Sequence, residues 1–456
     1  MKFLYADGLD FVDPNYNFLE DRSQPGREPY WDDEFMHEHL EEPPFDGYLV
    51  SRSIVLGHYI ENNSFPAKYT MGQSQRLLRK GVRKFLRIDN PKYDDLMIMG
   101  DCGAYSYHKL EKPPYSPKTL LEFYSDGGFT HGCSVDHIIF QFDRNLSGME
   151  AFRDTKDPDA GIKIKDRWDI TQENAEVFLR ESKQMTTPFI PLGVIQGWSP
   201  GSMAKAAHNL VAMGYDYLAL GGMAVSAVDT IQVALEEIRK QIPDYIKLHL
   251  LGFGKVDQID DIMDYNVTSI DTTSPMLRAF KDVQRSFFMP GDDSGLKYYA
   301  SVRIPQATEN AGLKLLVKKG VFSQEYLIQQ EKGALTALRN YDQGKVDMGT
   351  VLGAVMAYTK SVQTNPKTGA PPTKSKMSGI KNLYTELLND RPWSACDCAV
   401  CRKASIEVAI FRASNRNKRR GMHNTWVFNN RLKQFNQKGG INGSADEIFS
   451  DQSKAK

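Results

Sequence analysis

Short, continuously apolar runs recur along this chain, and each ends in a carboxylate, an amide or a glycine. Residues 96–100 stop at Asp101, 137–142 at Asp143, 189–195 at Gln196, 217–220 at Gly221-Gly222, 246–251 at Gly252 and 267–270 at Asp271. Between them lie stretches with helical periodicity, at 171–184, 202–213, 229–241 and 256–265. Strands that alternate with crossover helices pair in parallel. Strands without polar alternation belong to a sheet covered on both faces. About eight such units, each with a polar group at its C-terminal end, predict an α/β fold of the TIM-type (β/α)8 barrel kind, with its chemistry at that rim. A doubly wound sheet would gather its polar groups at a single crevice instead.

The rest of the chain is read around that barrel. Residues 1–46, acidic and rich in aromatics and proline, are expected to form an irregular arm packed on the main domain. The main part of the barrel is placed at 47–275, beginning with a strand from Gly47. A helix over 73–87 puts Leu77, Leu78, Val82, Phe85 and Leu86 on one face and a row of basic residues on the other. Helical stretches at 311–319, 324–341 and 347–363 make 276–392 a helical insertion. Residues 393–435 form a metal-binding subdomain with a closing helix, and 436–456 a disordered tail.

Composition narrows the class. With 456 residues, 41% of them hydrophobic and 25% charged, the chain can bury a core without disulfides. It has no run of 18 apolar residues, and the opening segment is too quickly interrupted by Asp7 and Asp10 for a secretion signal. A cytoplasmic protein without membrane contact is expected. The formal charge of +0 conceals segregation: residues 1–50 hold 13 Asp/Glu against 3 Lys/Arg, and 402–438 hold 10 Lys/Arg against Glu407 alone. That basic stretch suggests a polyanion partner.

Three of the five cysteines fall at Cys396, Cys398 and Cys401, followed by His423. Three thiolates and one imidazole complete a tetrahedral zinc site with no open position, so a structural Zn2+ is expected. The carboxylates Asp101, Asp143 and Asp271 suggest substitution at a sugar's anomeric carbon, which needs a nucleophile and a second group to handle the leaving-group proton. Tyr105, in Gly-Asp-Cys-Gly-Ala-Tyr, could stack on a planar ring. Asp143 with Gln196 and the amides of Gly221-Gly222 offers an acceptor and donors in the pattern of guanine's edge. Taken singly, a strand-end aspartate more often caps a helix or begins a turn.

The motifs Asp101-Cys-Gly-Ala-Tyr105, Phe142-Asp143, Val194-Ile-Gln196-Gly197, Leu220-Gly-Gly-Met-Ala224, Ile270-Asp271 and Cys396-x-Cys398-x-x-Cys401 with His423 resemble the guanine transglycosylases. The resemblance covers roughly 47–275 and 393–435. It implies Asp271 as nucleophile and Asp101 as general acid/base. It also implies Asp143, Gln196 and Gly222 as base readers, Met223 beside the 7-substituent, and Tyr105 as a stacking ring. Asp271 is followed by Thr-Thr-Ser-Pro and not by the Pro-Thr-Arg of the transfer-RNA enzymes, and 276–395 separates it from the cysteines. The opening Ala-Asp-Gly-Leu-Asp-Phe-Val-Asp-Pro and Gln196-Gly-Trp-Ser-Pro look instead like the DNA-modifying branch, the DpdA-type enzymes. Exchange of guanine in DNA for 7-cyano-7-deazaguanine is the expectation, with DNA, the free 7-deazaguanine and a companion protein that opens DNA as partners. A tRNA-guanine transglycosylase, a non-catalytic polynucleotide-binding subunit and a hydrolytic glycosylase are the alternatives.

Overall fold

The computed structural model describes residues 1–59, 64–292 and 295–439. The chain separates into two compact units, Met1–Leu9 with Phe45–Thr273, and Asp10–Pro44 with Ser274–Lys456.

The first unit is a closed eight-stranded parallel barrel. Its strands are β1 (Lys2–Ala6), β2 (Gly47–Ser51), β3 (Met97–Asp101), β4 (His131–Cys133), β5 (Ile190–Ile195), β6 (Tyr217–Leu220), β7 (Lys247–Leu250) and β8 (Ser269–Thr272). The barrel closes where Leu4 of β1 pairs with Asp271 of β8 and, on its other side, with Gly47 of β2. Residues 2–6 therefore supply the first strand, although they lie in the segment read as an arm. Their Phe-Leu-Tyr core is buried, but five residues ahead of an acidic stretch give too short a run to stand out. The interior is filled by inward side chains, among them Leu4, Leu49, Met99, Leu192, Val194 and Ala219. It is a packed core and not a pore.

Two elements differ from the sequence reading. The fourth strand is His131–Cys133, and 137–142 runs on beyond it without strand pairing. Side chains satisfy that backbone in place of a ladder. Thr171 Oγ1 accepts from His137 N at 3.0 Å, Gln196 Oε1 accepts from Ile139 N at 3.0 Å, and Arg167 donates to Ile138 O at 2.8 Å. Residues 256–265 form two short 3-10 turns, Val256–Gln258 and Asp260–Tyr265, in place of a helix. The basic helix is broken at Gly81 (φ +79°) into Met71–Lys80 and Val82–Phe85, with Leu77, Val82, Phe85 and Leu86 of the expected apolar face buried and Leu78 half-buried.

The second unit holds helices Ala311–Lys318, Gln324–Asp342, Met348–Gln363 and Lys374–Asp390, which bury Leu327, Leu338, Val351, Tyr358 and Leu387. An antiparallel pair, Phe287–Pro290 with Leu296–Tyr299, accompanies them. The closing helix runs Ala413–Gly439, so the tail expected from 436 begins inside it, and 440–456 lies outside the described residues.

Residues 10–44 group with this unit and not with the barrel, and their charge explains why. Arg412 bonds Asp21 at 2.6 Å and Glu331 at 2.6 Å, while Arg416 bonds Glu407 at 2.6 Å and also pairs with Asp21. Arg419 donates to Asp13 O, and Lys403 pairs with Glu41. Arg420, fully buried, donates to the carbonyls of Val408, Ile410 and Ala279. Part of the basic stretch is thus internal counter-charge, to Asp21 and Glu41 of the acidic one and to Glu331 and Glu407. The reading of this stretch as a polyanion-facing surface is corrected for Arg412, Arg416, Arg419 and Arg420, which are buried and bonded to groups within the protein. Among the described residues, no helix is long and apolar enough to cross a membrane.

Candidate active site

The carboxyl ends of the barrel strands surround a cavity of about 330 Å³. Asp101 enters it from the end of β3, Asp271 from β8, Gln196 from just beyond β5, and Gly221-Gly222 from just beyond β6. Tyr105 lies at the opening with 66% of its surface exposed, its ring edge-on to Phe140 at 6.0 Å. Of the barrel residues singled out in the sequence, the structure brings these six together.

Asp143 and Met223 are not among the lining residues. Asp143 starts a turn: its Oδ1 accepts from Asn145 N at 2.9 Å, and its own amide donates to Trp198 O at 2.8 Å. The capacity expected of it is used locally. Met223 is buried beside Phe253, Leu220 and Leu250, while its neighbours Gly222, Ala224 and Val225 reach the cavity.

The acid that does line the cavity is Asp136, three residues past β4. Cys102 Sγ donates to its Oδ1 at 2.9 Å and Gln196 Nε2 to its Oδ2 at 2.6 Å. Burial pushes its carboxyl above the ordinary value, against the pull of those two bonds. Because 137–142 reads as a strand, its end pointed to Asp143. The available signal was Asp136 itself, close behind Gly132-Cys133 in a run of buried residues.

Gln196 is held at both ends of its amide, by Asp136 and by Ile139 N, so its orientation is set by the network. Gly222 has φ +76°, and a Cβ there would stand 2.6 Å from Ile139 O. Only glycine fits that bend. The Gly221 amide is already given to Ile195 O at 3.0 Å, which leaves the Gly222 amide as a donor.

Asp101 Oδ2 accepts from Gly103 N at 3.0 Å. Burial, then the charges of Asp136 and Asp271, push its carboxyl up from 3.8 to about 7. A carboxyl near neutrality can both give and take a proton. Asp271 is 5% exposed. Its Oδ1 receives two bonds, from Gly252 N at 2.7 Å and from His249 Nε2 at 3.2 Å. Behind His249, Nδ1 lies 2.6 Å from Ser269 Oγ, which lies 2.6 Å from Tyr217 OH. The histidine carried no sequence signal, standing inside the apolar strand β7.

In the second unit, Cys396, Cys398, Cys401 and His423 are all buried with their ligand atoms within 4.8 Å of one another, a group that could hold a metal ion. His423 Nε2 bonds Phe288 O at 2.7 Å, which directs Nδ1 toward the three sulfurs.

No family model matches the chain. It is 34% identical over 433 residues to a DNA-guanine transglycosylase of Salmonella montevideo, across 95% of this chain and 97% of that protein. A shared barrel scaffold would not carry one identity in three through both the barrel and the residues that follow it. The chain is therefore an enzyme belonging to the guanine transglycosylase family.

Proposed function

We propose that this protein exchanges guanine in DNA for a 7-deazaguanine, through a covalent bond between Asp271 and the deoxyribose. The observation that carries the reading is the pair of unlike carboxylates in one cavity, Asp271 with a free oxygen and Asp101 near neutrality. The relative's name supports DNA as the polymer. Chemistry at C1′ cannot be done inside the stack, so the guanosine is drawn out into the barrel mouth, where Tyr105 offers a stacking face. Asp271 Oδ2 attacks C1′, the C1′–N9 bond breaks, and its electron pair leaves with guanine as Asp101 gives it a proton. The incoming base loses a proton to Asp101, and its N9 attacks C1′ and displaces the Asp271 carboxylate. Two displacements retain the configuration.

The role expected of Asp143 passes in this reading to Asp136. Each Asp136 oxygen keeps a second lone pair for guanine's N1–H and 2-amino group, and the Gly222 amide is available to O6. Ala224 and Val225 line the cavity where Met223 does not, so the side facing the 7-substituent is assigned to them.

The test is incorporation of labelled guanine into duplex DNA and into bulk transfer RNA by the purified protein. Label is expected in DNA, and label confined to transfer RNA would reverse the assignment. In the same assay Asp136→Asn is expected to raise KM for the free base about tenfold or more, the worth of a lost charge-assisted bond. Asp143→Asn is expected to leave it unchanged. Nucleoside mass spectrometry of DNA exposed to candidate 7-deazaguanines, the 7-cyano form among them, identifies the incoming base.

The metal in this reading is zinc in a structural role. The three sulfurs each stand 3.4 Å from His423 Nδ1. Tetrahedral zinc with bonds of about 2.3 Å to sulfur and about 2.0 Å to nitrogen separates those atoms by about 3.5 Å. When bound, such an ion ties residues 396–401 to the closing helix and leaves no position for a substrate. Metal analysis is expected to find one zinc per chain. Cys398→Ser, or a strong chelator, is expected to lower the melting temperature by about 10 °C or more.

A further inference from the structure

A buried polar file, Tyr217, Ser269 and His249, stands behind Asp271. Tyr217, His249 and Ser269 project into the barrel interior, where apolar side chains would fill the same space, and all three are buried. We propose that they form a positioning relay that presents one chosen oxygen of Asp271 to the sugar. The proposal rests on the reading of Asp271 as the nucleophile.

Proton counting sets the direction of the file. An ionised carboxylate only accepts, so the 3.2 Å contact requires a hydrogen on His249 Nε2. In a neutral imidazole Nδ1 is then the acceptor, and the Ser269 hydroxyl donates to it. The remaining Ser269 lone pair accepts from Tyr217 OH. With the ring neutral, every group is satisfied in one order, Tyr217 to Ser269 to His249 to Asp271. Asp271 in front and the Ser269 hydroxyl behind thus hold the ring in the same tautomer.

The consequence for Asp271 is asymmetry. Both protein donors, Gly252 N and His249 Nε2, converge on Oδ1. Oδ1 is thus held in place, and Oδ2 keeps its lone pairs for C1′. Once the ester forms through Oδ2, Oδ1 is its carbonyl oxygen and the two donors remain on it. When the incoming base breaks the C1′–Oδ2 bond, the electron pair returns to the carboxylate, and the same two N–H groups stabilise its developing charge. His249 acts through Asp271 and touches no substrate.

The experiment measures single-turnover adduct formation on DNA, with kcat and KM for exchange, in His249→Leu, His249→Gln, Ser269→Ala and Tyr217→Phe. His249→Leu is expected to lose about a hundredfold in kcat with KM for DNA unchanged, the scale of one removed donor at a developing charge. His249→Gln, which restores an N–H near the Nε2 position, is expected to recover about tenfold of that loss. The losses should fall in the order His249→Leu, Ser269→Ala, Tyr217→Phe, following distance along the file. A merely structural role predicts lower melting temperatures without the kcat-against-KM split or the glutamine rescue. Wild-type kcat in His249→Leu, or glutamine as poor as leucine, overturns the relay. Should His249→Leu fail to fold, Ser269→Ala decides: wild-type kcat there also overturns it. An adduct that persists in Asp271→Asn removes the nucleophile reading itself. No adduct in Asp271→Asn but full speed in His249→Leu removes the relay alone.

Discussion

Asp271→Asn is expected to yield no covalent DNA–protein adduct on a denaturing gel and to lower base exchange by about 10⁴-fold or more, the scale seen when a nucleophile is removed. The change is close to isosteric. The asparagine carbonyl oxygen can take the Oδ1 position and keep the bonds from Gly252 N and His249 Nε2, while its amide nitrogen replaces the attacking oxygen. Stability should therefore stay within about 1 kcal/mol of the parent, so that lost activity is not lost fold. An adduct of unchanged yield would place the nucleophile elsewhere, and peptide mapping of the adduct would find it.

Asp101→Asn is expected to lower the rate of adduct formation by about 10²- to 10⁴-fold, the usual weight of a positioned acid, and at the same time to make the protein more stable. The second half follows from linkage. Burial and the charges of Asp136 and Asp271 raise the folded-state value of Asp101 to about 7, from 3.8. A group raised in this way contributes stability that is fully present below the unfolded value and is lost as pH rises through the folded one. The loss thus accumulates between about pH 4 and pH 7, and asparagine, which does not ionise, escapes it. A gain of about 1–3 kcal/mol is expected at pH 8 and none at pH 4, measured by thermal or denaturant unfolding at both. In the parent enzyme, adduct formation needs the proton and should fall about tenfold per pH unit above about 7. Resolution of the adduct by the incoming base needs the ionised form, so it should rise with pH up to about 7 and level off above it. A variant destabilised at pH 8, or an adduct rate flat across neutrality, would remove Asp101 from this role.

Both predictions concern residues that could be read before any coordinates. Asp101 and Asp271 each close an apolar run, and a parallel strand in a barrel delivers its last residue to one rim whatever the loops do. The sulfurs and the imidazole of the metal group were legible for a different reason. Few side chains suit such an ion, and Cys396, Cys398 and Cys401 fall within six residues in a chain with only two other cysteines.

Position inside a strand or along a connection was not legible in that way. The run 137–142 has the composition of a strand, yet its backbone is satisfied by Thr171, Gln196 and Arg167, residues 29 to 57 positions away. That exchange of partners moved the third acid of the cavity from Asp143 to Asp136. Arginines that looked like a polyanion surface turned out to have Asp21 and Glu331 as partners, which no local pattern could pair with them. His249 lay hidden in an apolar strand. From the sequence alone came the barrel, the polar rim of its strands, two of the acids that line the cavity and the four residues that could hold a metal, because these depend on periodicity and on the chemistry of single side chains. The tertiary structure alone decided which acid joins Gln196, where the arginines spend their charge and which oxygen of Asp271 is left free, because each depends on a partner far away along the chain.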